Sequence, residues 1–489
     1  MTDFFTVSKI IELIYILNIF LAIYVVFRER KNPTSTWAWI MIMLFVPIVG
    51  FILYLFVGHD MRKRKLFTKK EEADHFYQVL DIQEQRLLED KNKLKDSFLY
   101  DYYNIIHLHL VSHEALYTDD NDVEIFTDGL DKFNSLFDDI KNAKDYIHIQ
   151  YYIIRGDDLG RKTLNLLIDK AREGVEVKLL YDGMGCLWTP KGMFEDLIDA
   201  GGKVVCFFPP FIPYINLRVN YRNHRKICVI DGCTGYIGGF NIGQEYIGQD
   251  QKMGYWRDTH LKIRGSAVKV LDLQFLLDWR FASKEDLSFS DSYISKLLSN
   301  KDKTKAGNTG IQIVASGPDS KWPSIRNGFM KMIDLAKESI YLQTPYFIPD
   351  DSLLESLKVA ALSGIDVNIM IPNKPDHPFV YWASLSYIGE LLEAGARCYT
   401  YEKGFLHAKT LIVDEKICTV GTANFDIRSF KLNFEVNAFI YDQKISKKLA
   451  ASFYHDISHC KELTQEIFDQ RGAIVKIKES VSRLLSPML

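Results

Sequence analysis

The feature that most restricts how this chain can fold is a pattern that occurs twice. Counting from His224, lysine falls at +2, aspartate at +7, glycine at +14 and asparagine at +17, giving Lys226, Asp231, Gly238 and Asn241; the same offsets from His407 reach Lys409, Asp414, Gly421 and Asn424. The flanks repeat as well. IKNAKDYIHIQYYI (140–153) is echoed by IDLAKESIYLQTPYFI (333–348), and REGVEVKLL (172–180) by LSGIDVNIM (362–370). One H-x-K-x-x-x-x-D can arise by chance from three common polar residues, but two copies sharing five offsets and their flanks mark a duplicated unit. The polar, glycine-containing stretch SNKDKTKAGNTG (299–310) separates the halves.

Each half alternates strand and helix patterns. In the first, DYIHIQYYII (145–154) is a strand run, GRKTLNLLIDKAREG (160–174) an amphipathic helix closed by glycine, and VEVKLLYDG (175–183) another strand. This alternation predicts an α/β sheet with helices on its faces, and 489 residues leave room for more than one core without disulfide reinforcement. The seven cysteines are odd in number and form no C-x-x-C pair, which suggests neither a disulfide framework nor a zinc site and fits a reducing compartment. With 60 basic and 63 acidic side chains the formal charge is −3, so no global attraction to nucleic acid is expected.

The N-terminus follows different rules. Residues 10–27 are largely apolar, with Glu12 and Asn18 inside, and residues 37–57 carry no charge at all, interrupted only by Pro47 and Gly50. A bilayer core needs about 20 apolar residues in a helix, so two spanning helices are expected. A signal peptide fits less well, because the basic residues Arg28, Arg30 and Lys31 follow the first run instead of preceding it and no small-residue cleavage site is present. The larger basic cluster, Arg62, Lys63, Arg64, Lys65, Lys69 and Lys70, follows the second run and predicts a hairpin with both termini and the catalytic part on the cytoplasmic side. Charged, helix-friendly sequence then continues to about residue 116.

Within each motif His and Lys lie two apart, so on a strand they share one face, while the Asp at an odd offset points away. His224, Lys226, His407 and Lys409 are therefore the expected catalytic groups, with Asp231 and Asp414 supporting them or serving structure only. Two lysines with Asn241 and Asn424 supply donors for phosphodiester oxygens without a metal. One imidazole can attack phosphorus and the other can protonate the leaving alkoxide. A carboxylate on the far ring nitrogen would fix each tautomer; Asp258 in YWRDTH and Glu435 in NFEVN are candidates, against an ordinary strand-end role.

These paired motifs resemble the phospholipase D superfamily, and the whole chain resembles the bacterial cardiolipin synthases. The resemblance is carried by NLRVNYRNHRKICVIDG, GYIGGFNIGQEY, YWRDTHLKIRG, QTPYFIPD, IPNKPDHPFVYWAS, GFLHAKTLIVD, GTANFDIRSFKLNFEVNAFIYD and SRLLSPML. It implies two pseudosymmetric phospholipase D-like α/β units (121–300 and 301–489) packed face to face, preceded by a transmembrane hairpin (1–60) and a helical linker (61–120). It implies transfer of a phosphatidyl group between two phosphatidylglycerol molecules through a phosphohistidine, giving cardiolipin and glycerol without cofactor or metal. It makes Asp258 and Glu435 the histidine-orienting carboxylates and, following the family's usual order, His224 the nucleophile and His407 the acid/base, although pseudosymmetry leaves that order open. The partners implied are phosphatidylglycerol and cardiolipin in a bilayer and no nucleic acid, with homo-oligomerisation left open.

Water, serine or another alcohol could serve as acceptor on the same catalytic groups, making a hydrolase or another phosphatidyltransferase. A nuclease lacks a basic, aromatic-interleaved stretch near the motifs, and a catalytically dead scaffold would not need every group in both halves. Three apolar segments have two readings each. CFFPPFIPYINL (206–217) is a loop entering the interface or a buried connection, PFVYWAS (378–384) lines a lipid site or fills the core, and residues 472–489 form a packed terminal helix or one resting on a membrane.

Overall fold

A computed structural model describes residues 2–28, 33–54, 98–190, 192–209, 221–285, 306–374 and 376–486. The chain divides into two compact units, residues 1–70 and 71–489. The apolar residues expected to build a linker helix, such as Phe76 and Leu87, lie outside the described residues.

The first unit contains α1 (Thr2–Arg28), α2 (Pro33–Phe45) and α3 (Val49–Leu53). The second expected span is therefore not one helix. A helical residue 47 would donate its N–H to the carbonyl of Met43, and proline has none to give. Asn18 of α1 supplies the missing donor, its Nδ2 reaching the Met43 oxygen at 2.8 Å, while Ile48 turns the chain at φ 66°. Among the described residues no helix is long and apolar enough to cross a membrane. The unit nevertheless exposes a dense set of large apolar side chains, including Phe20, Phe27, Trp37 and Phe45.

Among its described residues the second unit holds α4 (Phe98–His113), followed by two matching sets of elements. The first half holds β1 (Tyr117–Phe126), α5 (Gly129–Asn142), β2 (Tyr146–Tyr151), α6 (Asp158–Arg172), β3 (Glu176–Asp182), β4 (Lys203–Phe207), β5 (Arg222–Asn223), β6 (Ile227–Ile230), β7 (Thr234–Gly238), β8 (Tyr255–Arg257), β9 (His260–Arg264) and α7 (Ala267–Ser283). The second half holds β10 (Thr309–Ser316), α8 (Ser324–Asp334), β11 (Ser339–Gln343), β12 (Phe347–Ile348), α9 (Asp351–Leu362), β13 (Asp366–Pro372), α10 (Pro378–Glu393), β14 (Arg397–Tyr401), β15 (Gly404–Leu406), β16 (Thr410–Val413), β17 (Ile417–Gly421), β18 (Phe425–Asp426), β19 (Asn433–Tyr441), α11 (Gln443–Ile457), β20 (Cys460–Leu463) and α12 (Ala473–Leu484). The helix starts are written into the sequence: the carboxylates of Asp128, Asp157, Asp350 and Asp442 accept the first free backbone N–H groups of α5, α6, α9 and α11.

Apart from the edge strand β20, the strand order is a palindrome, β14-β13-β11-β16-β17-β19-β10 meeting β1-β9-β7-β6-β2-β3-β4. The halves join edge to edge where β1 runs antiparallel to β10, and the duplication boundary expected near residue 300 falls just before that seam. Their sheet faces also share one apolar cluster, in which Ile227, Val229, Ile237 and Leu261 of the first half pack with Ile412, Val420, Val436 and Ala438 of the second. Thr309 and Gly310, read as linker, already belong to β10. Phe207 and Phe208 are buried against Phe281 and Phe434, so that end of the proline-rich segment is core and does not enter a membrane; Phe211 lies outside the described residues.

Candidate active site

Two short parallel strand pairs carry the site. β5 pairs with the start of β19, and β15 pairs with β8, so each crosses from one half to the other. His224 follows β5 and donates its backbone N–H to the Phe434 carbonyl at 2.9 Å; His407 follows β15 and donates to the Arg257 carbonyl at 2.7 Å. Each histidine is thus fixed to the opposite half, one residue from that half's carboxylate.

The side chains repeat the exchange. His224 Nδ1 lies 2.9 and 3.0 Å from the Glu435 oxygens, and His407 Nδ1 lies 2.5 Å from Asp258 Oδ2. A carboxylate at Nδ1 holds the ring proton there and leaves Nε2 free for chemistry. Asn433 Nδ2 supports Glu435 Oε1 at 3.1 Å, and the backbone N–H of Thr259 supports Asp258 Oδ1 at 2.7 Å. Gly239 is needed for this fit, since a Cβ there would sit 2.0 Å from Asp258 Oδ1.

Lys226 and Lys409 fold back, each ammonium donating to the carbonyl of its own motif histidine. Both lysine charges are felt at both imidazoles, which makes the two motifs one site. Burial is the main force on all four groups. It lowers His224 and Lys226 below their ordinary values, brings His407 to about 4, helped by Lys409, and brings Lys409 down to about 8. Burial alone would raise both carboxylates. The charges of Lys409 and His407 overcome it at Asp258, and those of His224 and Lys226 at Glu435, so both stay below their ordinary range and ionised. Tyr152 stands edge-on to His224 at 5.0 Å between centroids and Trp256 packs 5.2 Å from His407, forming the aromatic walls.

Asn241 and Asn424 are both buried at the ends of the motif turns. Asn241 is engaged inside the protein, accepting from Ile153 N at 3.2 Å and donating to Tyr246 Oη at 3.1 Å. Asn424 Oδ1 has no hydrogen-bond partner among the described residues. Asp231 and Asp414 are not brought to the imidazoles. Each follows the far end of its strand in a left-handed turn, φ 50° and 52°, and accepts backbone N–H groups: Lys144, Asp145 and Tyr146 for the first, Lys337, Glu338 and Ser339 for the second. They tie the motif strand to the start of β2 or β11.

Motif spacing does not reveal a second set of groups behind the histidines. Arg225, fully buried, pairs with Asp278 of α7 at 2.6 Å and donates to the Glu435 carbonyl at 3.0 Å. Arg257 pairs with Asp456 of α11 at 2.8 Å and donates to the Asp258 carbonyl. Gln150 and Gln343 hold those two aspartates at 2.8 Å each. The glutamines stand at matching places in the repeated flanks, the one trace of this layer visible in the sequence.

The family model for the phospholipase D-like domain of cardiolipin synthase matches residues 136–267 and 329–457, and the Phospholipase D-nuclease N-terminal model matches residues 16–59. The chain belongs to the phospholipase D-like cardiolipin synthase family. Among relatives, the major cardiolipin synthase of Bacillus subtilis is 51% identical over 484 residues, 99% of each chain. A cardiolipin synthase of Staphylococcus aureus is 48% identical over 477 residues, 97% of this chain and 95% of its own. In three dimensions the crystal structure of a phosphatidylserine synthase from Haemophilus influenzae aligns with a TM-score of 0.59 at 17% identity, covering 77% of this chain and 97% of that one, which is a likeness of fold.

Proposed function

We propose that this family member transfers a phosphatidyl group from one phosphatidylglycerol to the glycerol hydroxyl of another, forming cardiolipin and free glycerol. The observation that supports it best is the crossed pair of His–carboxylate contacts, which gives one site two imidazoles with free Nε2 atoms. His224 Nε2 attacks phosphorus, the bond to the departing glycerol oxygen breaks, and His407 donates that oxygen its proton. The hydroxyl of a second phosphatidylglycerol then gives its proton to His407 and attacks phosphorus, and the phosphorus–nitrogen bond breaks, restoring neutral His224. Lys226, Lys409 and Asn424 sit where they can stabilise the phosphoryl oxygens in both displacements. An anionic phosphodiester also raises the affinity of His407 for the proton it must donate.

The N-terminal unit seats the enzyme in the membrane, with both chain ends and the catalytic unit on the cytoplasmic side. The exposed apolar side chains of α1 and α2 and the basic cluster at residues 62–70 support this reading. The deciding assay incubates the full-length protein with phosphatidylglycerol bilayers, without nucleotide or metal, and quantifies cardiolipin, glycerol and phosphatidic acid. Equimolar cardiolipin and glycerol, lost by at least about 10³-fold in His224→Ala, is the expected result. Phosphatidic acid as the main product would make water the acceptor and the enzyme a hydrolase.

A further inference from the structure

Helix α12 turns part of its polar set toward the protein: the Glu479 carboxylate is buried on Arg471 Nη1 at 2.7 Å, Ser482 is buried, and the half-buried Arg483 reaches Glu390 and, at 3.4 Å, the Ser386 carbonyl of α10. Its apolar side chains face outward, with Ile474 70%, Ile477 62%, Val481 48% and Leu484 82% exposed. These positions recur at three- and four-residue steps, so they form one continuous stripe. Lys476 and Lys478 border it on either side, and neither ammonium is ion-paired among the described residues: Lys476 rests on the Asp469 carbonyl and Lys478 over the Trp382 ring.

We propose that this stripe is a docking face for an anionic phospholipid surface, with the four apolar side chains entering the acyl boundary and the two lysines meeting lipid phosphates. The charge pattern selects this occupant. A stripe about 100° wide with cations at both borders is the arrangement of a helix lying in an anionic membrane interface. Docking here also serves the site. Helix α10 carries α12 on its flank, and Asp376, just before α10, accepts the Tyr346 hydroxyl and its charge reaches Lys409. Phe379, at the start of α10, is 55% exposed. A catalytic unit docked through α12 stays at the surface that contains its substrate, an advantage that rests on the phosphatidyl-transfer reading above.

The test uses the full-length chain, so that its N-terminal unit is the same in every sample. The triple variant Ile477→Glu, Val481→Glu, Leu484→Glu is compared with wild type on phosphatidylglycerol bilayers and on phosphatidylglycerol dispersed in detergent. The proposal expects at least about a tenfold loss on bilayers with detergent activity within about twofold of wild type, which also shows that the variant folds. Equal activity on both substrates, or equal loss on both, overturns it. In parallel, Val481→Cys in a Cys233→Ser background carries an environment-sensitive fluorophore. Its emission should shift to the blue on phosphatidylglycerol vesicles, less on phosphatidylcholine vesicles, and less again with Lys476→Gln and Lys478→Gln. A blue shift already present in detergent, together with a doubled mass by light scattering, would assign the stripe to a second copy of the chain and overturn the proposal. If wild type makes no cardiolipin, the functional reading fails while the fluorophore still reports docking.

Discussion

Lys409 shows how burial sets a working range for the site. Its ammonium is brought down to about 8, so the free enzyme loses this charge as pH rises through 8 and keeps it below. The profile of kcat/KM against pH should therefore fall on the basic side by about pH 8, and Lys409→Arg should remove this lysine's part of that limb, because a guanidinium stays charged, while Lys226, whose ammonium burial also lowers, keeps its own part. A bound phosphodiester favours the charged lysine, so the limb in kcat should lie higher than in kcat/KM. The crossed carboxylates give a second prediction. Glu435→Gln should reduce transfer by on the order of 10⁴-fold, chiefly in formation of the phosphohistidine, because an amide no longer fixes the proton on His224 Nδ1. Asp258→Asn should act on His407, which serves both displacements, and slow formation and breakdown of the labelled phosphoenzyme alike; rapid-quench trapping with labelled phosphatidylglycerol follows both steps. The motif spacing exposes these histidines and lysines because both copies share their offsets; the residues lie in the links between β5 and β6 and between β15 and β16, not on the strands the spacing suggests. It leaves Asp231 and Asp414 between a supporting and a structural role; their side chains are used by backbone N–H groups at the far strand end.

At the scale of elements, the buried Arg225–Asp278 and Arg257–Asp456 pairs anchor the link between β5 and β6 and strand β8 to helices α7 and α11. Removing one partner leaves an uncompensated buried charge, so Asp278→Ala should cost about 3–5 kcal/mol. Arg225→Met with Asp278→Ala together should cost less than the sum of the two single changes, a coupling that denaturant titration of the four-member cycle measures. Additive losses would mean that the pair is not an energetic unit. Arg225 and Arg257 lie beside His224 and Asp258, yet nothing in their spacing names a partner 53 and 199 residues away. The break after α2 is a local matter by contrast: Pro47 announces it, although the apolar run around it reads as one span.

For the whole molecule, the shared apolar cluster and the β1–β10 seam predict that the two halves unfold together. Calorimetry of the full chain should show one transition for the duplicated unit, and two resolved transitions there would contradict the shared core. The chain's own order of residues determined the duplication, the α/β class, the capped helix starts and the residue types of the candidate site, because these follow from local periodicity and from offsets of a few residues. The tertiary structure alone decided that each histidine takes its carboxylate from the opposite half, that Phe207 and Phe208 are core and that the apolar stripe of α12 faces outward. Those outcomes depend on contacts between residues far apart in the chain, where register and facing are set by packing and by the demand that buried charges find partners, and no local pattern encodes either.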